Sequence, residues 1–274
     1  MLSPKGVRKI EEGAFRDCTD LTSIEIPDGV TKIESDAFKG CTGLTSIDIP
    51  EGVTEIGWCA FSGCKGLTSI KVAEGNKVYD SRNNCNAIIE TATNTLIAGC
   101  KSTEIPDGVT KIEGDAFKGC TGLTSIVIPD SVTEIVSGTF SGCMGLTSIE
   151  IPDSVTEIVS GAFSGCTGLT NIEIPDSVTC IGWNTFKGCT GLISVVIPKG
   201  VTEILDFTFG YCTSLKEVTL PVGVKKIDEE AFEGCNALER IYVPAKKADY
   251  YKQRLPEELH DKIVELAPEK NTKK

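Results

Sequence analysis

The sequence has little of the chemistry on which most active sites depend. It contains one histidine, His260, so a catalytic triad would have to use a residue close to the C-terminus. Its thirteen cysteines include no Cys-x-x-Cys pair, the minimal signature of a zinc ribbon or a thioredoxin-like site. Glycine-rich phosphate loops, His-Glu-x-x-His and EF-hand patterns do not occur either. We therefore expect a non-enzymatic protein with no catalytic residue, no metal and no cofactor.

Long apolar runs and an excess of basic charge are also missing. No segment approaches the roughly 20 consecutive apolar residues of a membrane span, and no charged leader followed by an apolar run opens the chain. The formal net charge is −12. A field of this sign repels phosphate backbones, so we expect no nucleic-acid partner, whereas basic proteins and cations remain compatible with it.

What the sequence does contain is a repeat of 23 residues, shown in full by residues 21–43. The unit reads L-T-S-I-x-I-P-x-x-V-T-x-I-x-x-x-A-F-x-G-C-T-G, and positions are counted below from its leucine. One longer unit, residues 67–99, interrupts the series. Half a unit, residues 1–20, precedes the first complete unit. The complete units begin at Leu21, Leu44, Cys100, Leu123, Leu146, Leu169, Leu192 and Leu215.

Each unit predicts two extended segments and a turn. Its first segment, L-T-S-I-x-I, ends in strand-like alternation, and the proline that follows stops the strand because it has no N–H to donate. Val-Thr-x-Ile starts a second extended segment, and Ala-Phe-x-Gly-Cys predicts a helical turn that ends at the glycine. One unit cannot form a core alone, so the units must stack.

Stacking in register turns repeat positions into ladders. Nine of the ten phenylalanines share position 18 and predict a buried spine. They are Phe15, Phe38, Phe61, Phe117, Phe140, Phe163, Phe186, Phe209 and Phe232.

Nine cysteines share position 21 and predict a second ladder. Neighbouring coils lie about 4.8 Å apart, farther than the roughly 3.8 Å that disulfide Cβ atoms favour, so we expect buried free thiols. Of the remaining cysteines, Cys100 replaces a leucine and is expected to be buried. Cys59 and Cys180 are expected to be exposed.

These residues resemble the BspA-like leucine-rich repeats, for which I-P-x-x-V-T-x-I-x-x-x-A-F-x-G-C is the family motif. The resemblance covers nearly the whole chain and implies a solenoid. This is a right-handed superhelix of mostly short parallel β-strands with short helical turns, closed by a C-terminal helical cap. It also implies a bacterial protein at the cell surface or secreted, with a cytoplasmic location as the alternative. Its partner would be a protein or glycan, with host extracellular matrix as a candidate, and we expect a monomer.

Two regions depart from the repeat, one within the series of units and one at the C-terminal end. Residues Tyr79–Gly99 look like a variant unit of the family with an inserted β-hairpin, whose strands would lie near Ala87–Thr91 and Thr95–Ala98. We expect this hairpin to project and to be cut first by proteases. At the other end, the spacing of Ala248, Tyr251 and Leu255 predicts a short capping helix, followed by an extended segment. The chain is thus divided into a solenoid, 1–237, and a strand-and-helix cap of the same domain, 238–274.

The N-terminal half unit lacks a first strand, since Ser3–Val7 matches the I-P-D-G-V part of the repeat. This pattern favours a fragment of a longer protein. The alternative is that the many charges of residues 1–20 make an exposed edge tolerable.

Candidate binding residues lie on the first segment of each unit. Its positions 2, 3 and 5 point away from the core, and in leucine-rich repeats this strand lines the concave face. We interpret the threonine and serine rows at positions 2 and 3 as soluble filler, with a basic or glycan partner, or calcium between stacked acids, as alternatives. Trp58 and Trp183 are interpreted as partly packed residues away from that face. The predicted ligand-binding residues are Glu25, Asp48, Glu104, Glu150, Glu173, Lys216, Arg240 and Tyr242.

These features together favour a non-catalytic interaction or adhesion scaffold that binds through its concave strands. The first alternative is a structural spacer for a fused module, and the second is a glycan-active enzyme using aspartate or glutamate. An enzyme requires one non-repeating acid pair in a pocket, whereas a scaffold presents a broad, shallow face.

Overall fold

The computed structural model describes residues 6–267, so the Ser3–Lys5 part of the N-terminal match lies outside the described residues. Within them the chain winds into a β-solenoid of about 11 turns with few helices. The predicted solenoid is therefore confirmed, although the predicted helical turns are mostly tight, non-helical turns. The division into 1–237 and 238–274 stays a prediction.

The secondary structure consists almost entirely of short strands. A single α-helix, α1 (Ala248–Lys252), and three 3-10 turns, Arg82–Asn84, Glu229–Phe232 and Glu257–Lys262, complete the described elements. The strands are β1 (Lys9–Ile10), β2 (Lys32–Ile33), β3 (Ser46–Ile49), β4 (Glu55–Ile56), β5 (Ser69–Val72), β6 (Tyr79–Asp80), β7 (Ala87–Glu90), β8 (Thr95–Gly99), β9 (Lys111–Ile112), β10 (Glu134–Ile135), β11 (Glu157–Ile158), β12 (Cys180–Ile181), β13 (Ser194–Val196), β14 (Glu203–Ile204), β15 (Glu217–Thr219), β16 (Lys226–Ile227), β17 (Arg240–Val243) and β18 (Ile263–Glu265).

Two series of parallel strands run along the solenoid. The second extended segment of each unit forms the more regular series, β1-β2-β4, β10-β11-β12 and β14-β16. The first segment forms ladders near the two ends, β3-β5 and β13-β15-β17-β18. Between these ladders a single bridge joins Val127 to Glu150. The strand predicted to carry the binding face is thus the less regular one in the middle of the chain.

The phenylalanine spine forms the centre of the core. Its rings stack in two runs, from Phe15 to Phe61 and from Phe117 to Phe232, with neighbouring ring centroids 5.2 to 5.6 Å apart. Phe140 is completely buried, whereas Phe15 in the first described coil is only half-buried. Full burial of such a ring contributes roughly 1.5–3 kcal/mol relative to leaving it exposed. The spine is therefore a principal source of stability.

The hairpin of the irregular unit is part of the solenoid wall. Strands β7 and β8 pair in antiparallel fashion, and β8 then continues in parallel with β9 of the next coil. Ile88, Ile89 and Leu96 are completely buried. The predicted hairpin strands are confirmed within a residue at each end, but the prediction that the hairpin projects is wrong. Its apolar residues need burial on both faces, and only integration into the wall supplies that burial.

The irregular unit supplies no turn of its own on the opposite side of the coil. There the N–H of Gly63 donates to the carbonyl of Lys118, 2.8 Å away, so the regular coils on either side of the unit meet directly. The fit is incomplete and leaves a cavity of about 280 Å³ beside Trp58, Cys59 and Asp115. We call this region the junction.

All thirteen cysteines are unpaired, and Cys100 is buried and Cys180 exposed, as predicted. The prediction of a buried thiol is wrong for one ladder cysteine, Cys18, which is exposed because it lies in the first described coil and has a described coil on one side only. Cys59 contradicts its prediction, because it is buried at the junction and its thiol lies 3.1 Å from a carboxylate oxygen of Asp115. Cys59 has a φ of 56°, and the contact with Asp115 in the coil across the junction holds its side chain inside the protein. Burial, and then the Asp115 carboxylate, raise the pKa of this thiol to about 12.

The C-terminal cap closes the last coil. Tyr251 of α1 is completely buried and its hydroxyl donates to the carbonyl of Pro221, while Leu255 is also buried. Strand β18 then pairs in parallel with β17, as the predicted final extended segment requires. His260 is half-buried, with Nε2 3.0 Å from the carbonyl oxygen of Leu255, so it is more enclosed than a solvated surface histidine.

Candidate functional site

The predicted binding residues share one face, formed by the outward side chains of the first segment in each coil. We call it the first-strand face. All eight are exposed except Tyr242, which is half-buried. The structure gathers them into three separate places, described in turn below, and leaves Glu104 and Glu173 as isolated exposed carboxylates outside the cavities. These residues as ligand contacts stay a prediction.

The largest of the three places is a cleft of about 910 Å³ near the N-terminal end. The coils that begin at Leu21, Leu44 and Leu67 form its floor, and loop 80–86 of the irregular unit forms its wall. Its five carboxylates face only two cations, Lys71 and Arg82. The carboxylates are those of Glu25, Asp48, Asp28, Glu74 and Asp80.

The charges of the cleft are fixed in place by specific contacts. Nε and Nη2 of Arg82 donate hydrogen bonds to the carboxylate oxygens of Asp80 at 2.7 to 3.1 Å. These hydrogen bonds raise the pKa of the Arg82 guanidinium. A second contact, Nη1 of Arg82 to Oδ1 of Asn94 at 2.8 Å, ties the loop to the hairpin. Lys71 lies opposite Asp48 in the β3-β5 register. With these pairs matched, the remaining acids leave the cleft negative.

Sequence reasoning missed Asp28, Glu74, Asp80 and the loop that carries Asp80. The predicted residues were those at repeat position 5, where the coils differ, and these three acids lie outside that position. The irregularity of unit 67–99 was the available signal, since loops of an irregular unit are where a repeat protein departs from periodicity.

A second, smaller hollow of about 450 Å³ lies in the middle of the face. Glu150, Asp130 and Asp153 line it together with Val127, whose side chain is 70% exposed. Apolar and acidic groups thus alternate here without a compensating cation among the lining residues.

The third place is a hydrogen-bonded cluster near the C-terminus. Glu217, which sequence reasoning did not select, accepts hydrogen bonds from Arg240 at 2.7 Å and from the Tyr242 hydroxyl at 3.3 Å. The hydrogen bond that Arg240 donates to Glu217 is the main cause that raises the pKa of the Arg240 guanidinium. Lys216, the residue before Glu217 in the chain, is exposed. The positive charge of Arg240 is therefore largely balanced within the protein.

The threonine row at position 2 is engaged in the fold. The hydroxyls of Thr45, Thr68 and Thr147 each lie within 3.2 Å of the carbonyl of the threonine 23 residues earlier and donate to it. Each hydroxyl has one proton, and that proton is already donated to a backbone carbonyl. These side chains can therefore only accept hydrogen bonds from a ligand. This arrangement supports the interpretation of the rows as structural filler and leaves the carboxylates as the prominent groups of the face.

Within residues 6–267 we find no group of three or more histidine, cysteine, aspartate or glutamate side chains placed to hold a metal ion. Among those same residues, no helix has the length and apolar character needed to cross a membrane.

Comparison with known proteins identifies the repeat. The family model described as BspA type leucine rich repeat region matches residues 2–98, 97–204 and 134–253, in six copies. A search of curated proteins found no match.

Solved structures with the same architecture come from several bacteria. A leucine-rich cell surface protein of Faecalibacterium prausnitzii is 34% identical, with a TM-score of 0.68 over 90% of this chain and 60% of its own. The pneumococcal vaccine antigen PcpA is 20% identical, with a TM-score of 0.82 over 95% and 66%. A leucine-rich repeat protein of Eubacterium ventriosum is 24% identical, with a TM-score of 0.68 over 86% and 76%. The chain thus spans less than two thirds of the first two of these proteins, and the last two similarities bear on the fold alone.

Proposed function

The chain belongs to the BspA-type leucine-rich repeat family, and from that membership we propose that it is a protein-interaction scaffold of the bacterial cell surface. On this proposal it binds without a catalytic step, through the first-strand face. The observation that supports it most directly is the cleft, which combines concave shape with an excess of carboxylates.

The chemistry of the cleft favours a cationic protein segment as the partner. Two of its five acids are matched by Lys71 and Arg82, so a basic segment would neutralise the rest. A glycan would instead need hydrogen-bond donors and acceptors in mixed supply, and the nearby threonine hydroxyls already use their protons. Asp80 is held by Arg82 and is not free to act as a general acid or base, which weighs against the enzyme alternative.

The test uses a panel of purified extracellular-matrix proteins and glycans, presented to the intact chain and to two variants. Glu25→Gln with Asp48→Asn removes two negative charges from the cleft while keeping its shape. Glu134→Gln with Glu157→Gln removes the same charge from the paired, exposed second-segment strands β10 and β11. We expect at least one basic protein to bind with an affinity that falls with salt. The cleft variant should weaken that binding about tenfold, and the control should not.

The middle of the first-strand face provides a second variant of the same test. Replacing Glu150 and Glu173 by glutamine removes two charges from coils further along the face and should weaken a partner long enough to reach them. Binding that no first-strand variant alters would contradict the proposal. Failure of every panel member to bind would instead favour a structural spacer.

A further inference from the structure

One coil, residues 192–214, differs from the others on the turn side, away from the first-strand face. In the described coils other than the irregular unit 67–99, positions 16 and 20 adopt a left-handed backbone, with φ between 51° and 74° except at Glu230. In this coil they are Phe207, with φ 51°, and Tyr211, with φ 59°. The left-handed residues elsewhere at these positions are Gly13, Asp17, Asp36, Gly40, Cys59, Gly63, Asp115, Gly119, Gly138, Gly142, Gly161, Gly165, Asn184, Gly188 and Gly234.

Aromatic residues are an unfavourable choice for this backbone. Glycine, asparagine and aspartate enter the left-handed region at low cost, whereas a bulky side chain there is strained. The same coil accepts that strain twice. Strain of this kind persists where surrounding structure or function compensates it, so the two rings call for a role.

The core does not supply that role. The buried spine continues past this coil through Phe186, Phe209 and Phe232, all stacked without Phe207 or Tyr211. Tyr211 is instead 46% exposed, and its ring lies parallel to that of Phe207, with centroids 6.1 Å apart.

A third aromatic side chain extends this surface. Trp183, on the preceding coil, is 57% exposed. The N–H of its neighbour Asn184 donates to the carbonyl of Asp206, which adjoins Phe207, so the segments carrying these aromatic residues run side by side. We call Trp183, Phe207 and Tyr211 the aromatic patch.

The charges around the aromatic patch indicate what it attracts. Asp206 lies in the same coil, and Asp228, Glu229, Glu230 and Glu233 lie in the next coil. Desolvation by neighbouring groups and repulsion from Asp228 and Glu230 raise the pKa of the exposed Asp206, which indicates that these acids lie close together. Lys226 compensates Asp228 through an ion pair. The rim is therefore acidic beyond what its own lysine balances.

The ring faces already hold a cation. The ammonium of Lys187 lies 4.3 Å from the centroid of Phe207 and 5.7 Å from that of Tyr211. This is the geometry of a cation–π interaction, in which the electron-rich faces attract positive charge. Lys187 reaches the rings on a flexible stem, so an incoming cation that stacks better can displace it.

We propose that the aromatic patch is a second docking surface that receives an arginine-bearing segment of a partner protein. The guanidinium stacks on Phe207 and Tyr211 in place of Lys187 and pairs with the carboxylate of Asp206. Arginine suits the surface better than lysine because its planar group stacks on rings and is weakly hydrated. Aromatic residues and arginine also dominate the energetics of protein interfaces. This surface is separate from the first-strand face and does not depend on the function proposed for it.

The test follows the fluorescence of Trp183 in a Trp58→Phe background, where it is the only tryptophan. The probe is the peptide acetyl-Arg-Gly-Arg-Gly-Arg-amide at low salt, and its counterpart with glutamine in place of arginine is the control ligand. We expect a saturable response to the arginine peptide alone.

The decisive variant is Phe207→Asn with Tyr211→Gly, which restores residues that other coils use at these positions. We expect the thermal midpoint to stay the same or rise, because strain is relieved, while the affinity for the arginine peptide falls about tenfold. Tyr211→Gly alone, at the more exposed position, keeps the test valid if the double variant folds poorly. Lys187→Gln should strengthen binding several-fold, because it vacates the rings.

The first-strand face provides the independent control. Glu25→Gln with Asp48→Asn should leave the Trp183 response unchanged, whatever it does to other partners. Equal responses to the two peptides would overturn the proposal, as would a lower thermal midpoint with unchanged affinity. Weaker binding by Lys187→Gln would also overturn it, since Lys187 would then be a contact for an anion or a sugar hydroxyl.

Discussion

The thiol of Cys166 donates a hydrogen bond to the backbone carbonyl of Phe140, 3.1 Å away and 26 residues earlier in the chain. The same relation joins the two ladders in coil after coil, and through it seven of the nine ladder cysteines satisfy a phenylalanine carbonyl of the preceding turn. The equivalent pairs are Cys41 with Phe15, Cys64 with Phe38, Cys143 with Phe117, Cys189 with Phe163, Cys212 with Phe186 and Cys235 with Phe209.

Thiol reactivity should follow this arrangement. Under native conditions at pH 8, an alkylating reagent should label Cys18 first and Cys180 next because both are exposed, while desolvation and the charges of Glu157 and Glu203 raise the pKa of Cys180 and slow its reaction. Cys59 and the buried ladder thiols should react slowly, since burial raises the pKa of Cys59, Cys64 and Cys166 to about 12. Mass spectrometry of timed samples measures both groups. Rapid labelling of Cys59, or a disulfide between Cys143 and Cys166, would contradict the structure.

Alkaline pH should destabilise the fold through the same thiols. Burial holds the pKa of Cys166 in the folded protein near 12, above its ordinary value of 9.0. The stabilisation that the retained proton provides is complete below pH 9 and is lost as the pH rises toward 12. Cys166→Ala should therefore reduce the pH slope of the unfolding free energy by up to ~1.4 kcal/mol per pH unit in this range. Urea unfolding of the variant and the parent chain between pH 8 and 11 measures the slope, and equal slopes in the two proteins would contradict the prediction.

The burial of each ring in the phenylalanine spine should determine how much it contributes to the unfolding free energy. Phe140→Ala removes a completely buried ring that stacks on Phe117 and Phe163, and should cost about 3–5 kcal/mol of unfolding free energy. Phe15→Ala makes the same chemical change at a half-buried ring with one stacking partner and should cost clearly less. Denaturant titration compares the two. Similar losses for both variants would show that the first described coil is as tightly packed as the centre.

Gly99 of strand β8 packs against the ring of Phe117 so closely that it should tolerate no side chain. A Cβ atom there would lie 2.2 Å from Cε1 of Phe117, so the ring of the first spine residue after the break would have to move. We expect Gly99→Ala to destabilise the protein by about 1–3 kcal/mol. Gly223→Ala is the matched control, because the nearest atom to its Cβ, the carbonyl oxygen of Lys199, is 3.4 Å away. Equal unfolding free energies for the two variants would contradict the close packing of the hairpin against Phe117.

The sequence by itself determined which repeating positions form the core. A residue at position 18 or 21 of one coil has the same neighbours as its equivalents in the adjacent coils. The periodicity alone therefore predicted that Phe140 and Cys166 are buried and that the thiols stay unpaired. The capping role of Tyr251 followed in the same way, from helical spacing at the end of a solenoid that must be closed.

Only the tertiary structure decided what lies where the repeat fails. Cys59 is buried because it meets Asp115, 56 residues later, in a contact created when the irregular unit omits its turn. Arg82 closes the cleft because the loop that carries it folds back beside the strands of Asp48 and Lys71. Neither arrangement has a periodic signal, since each depends on one pairing between distant, non-equivalent segments. Local spacing specifies the coil, and the packing of coils across an interruption specifies the cleft and the junction.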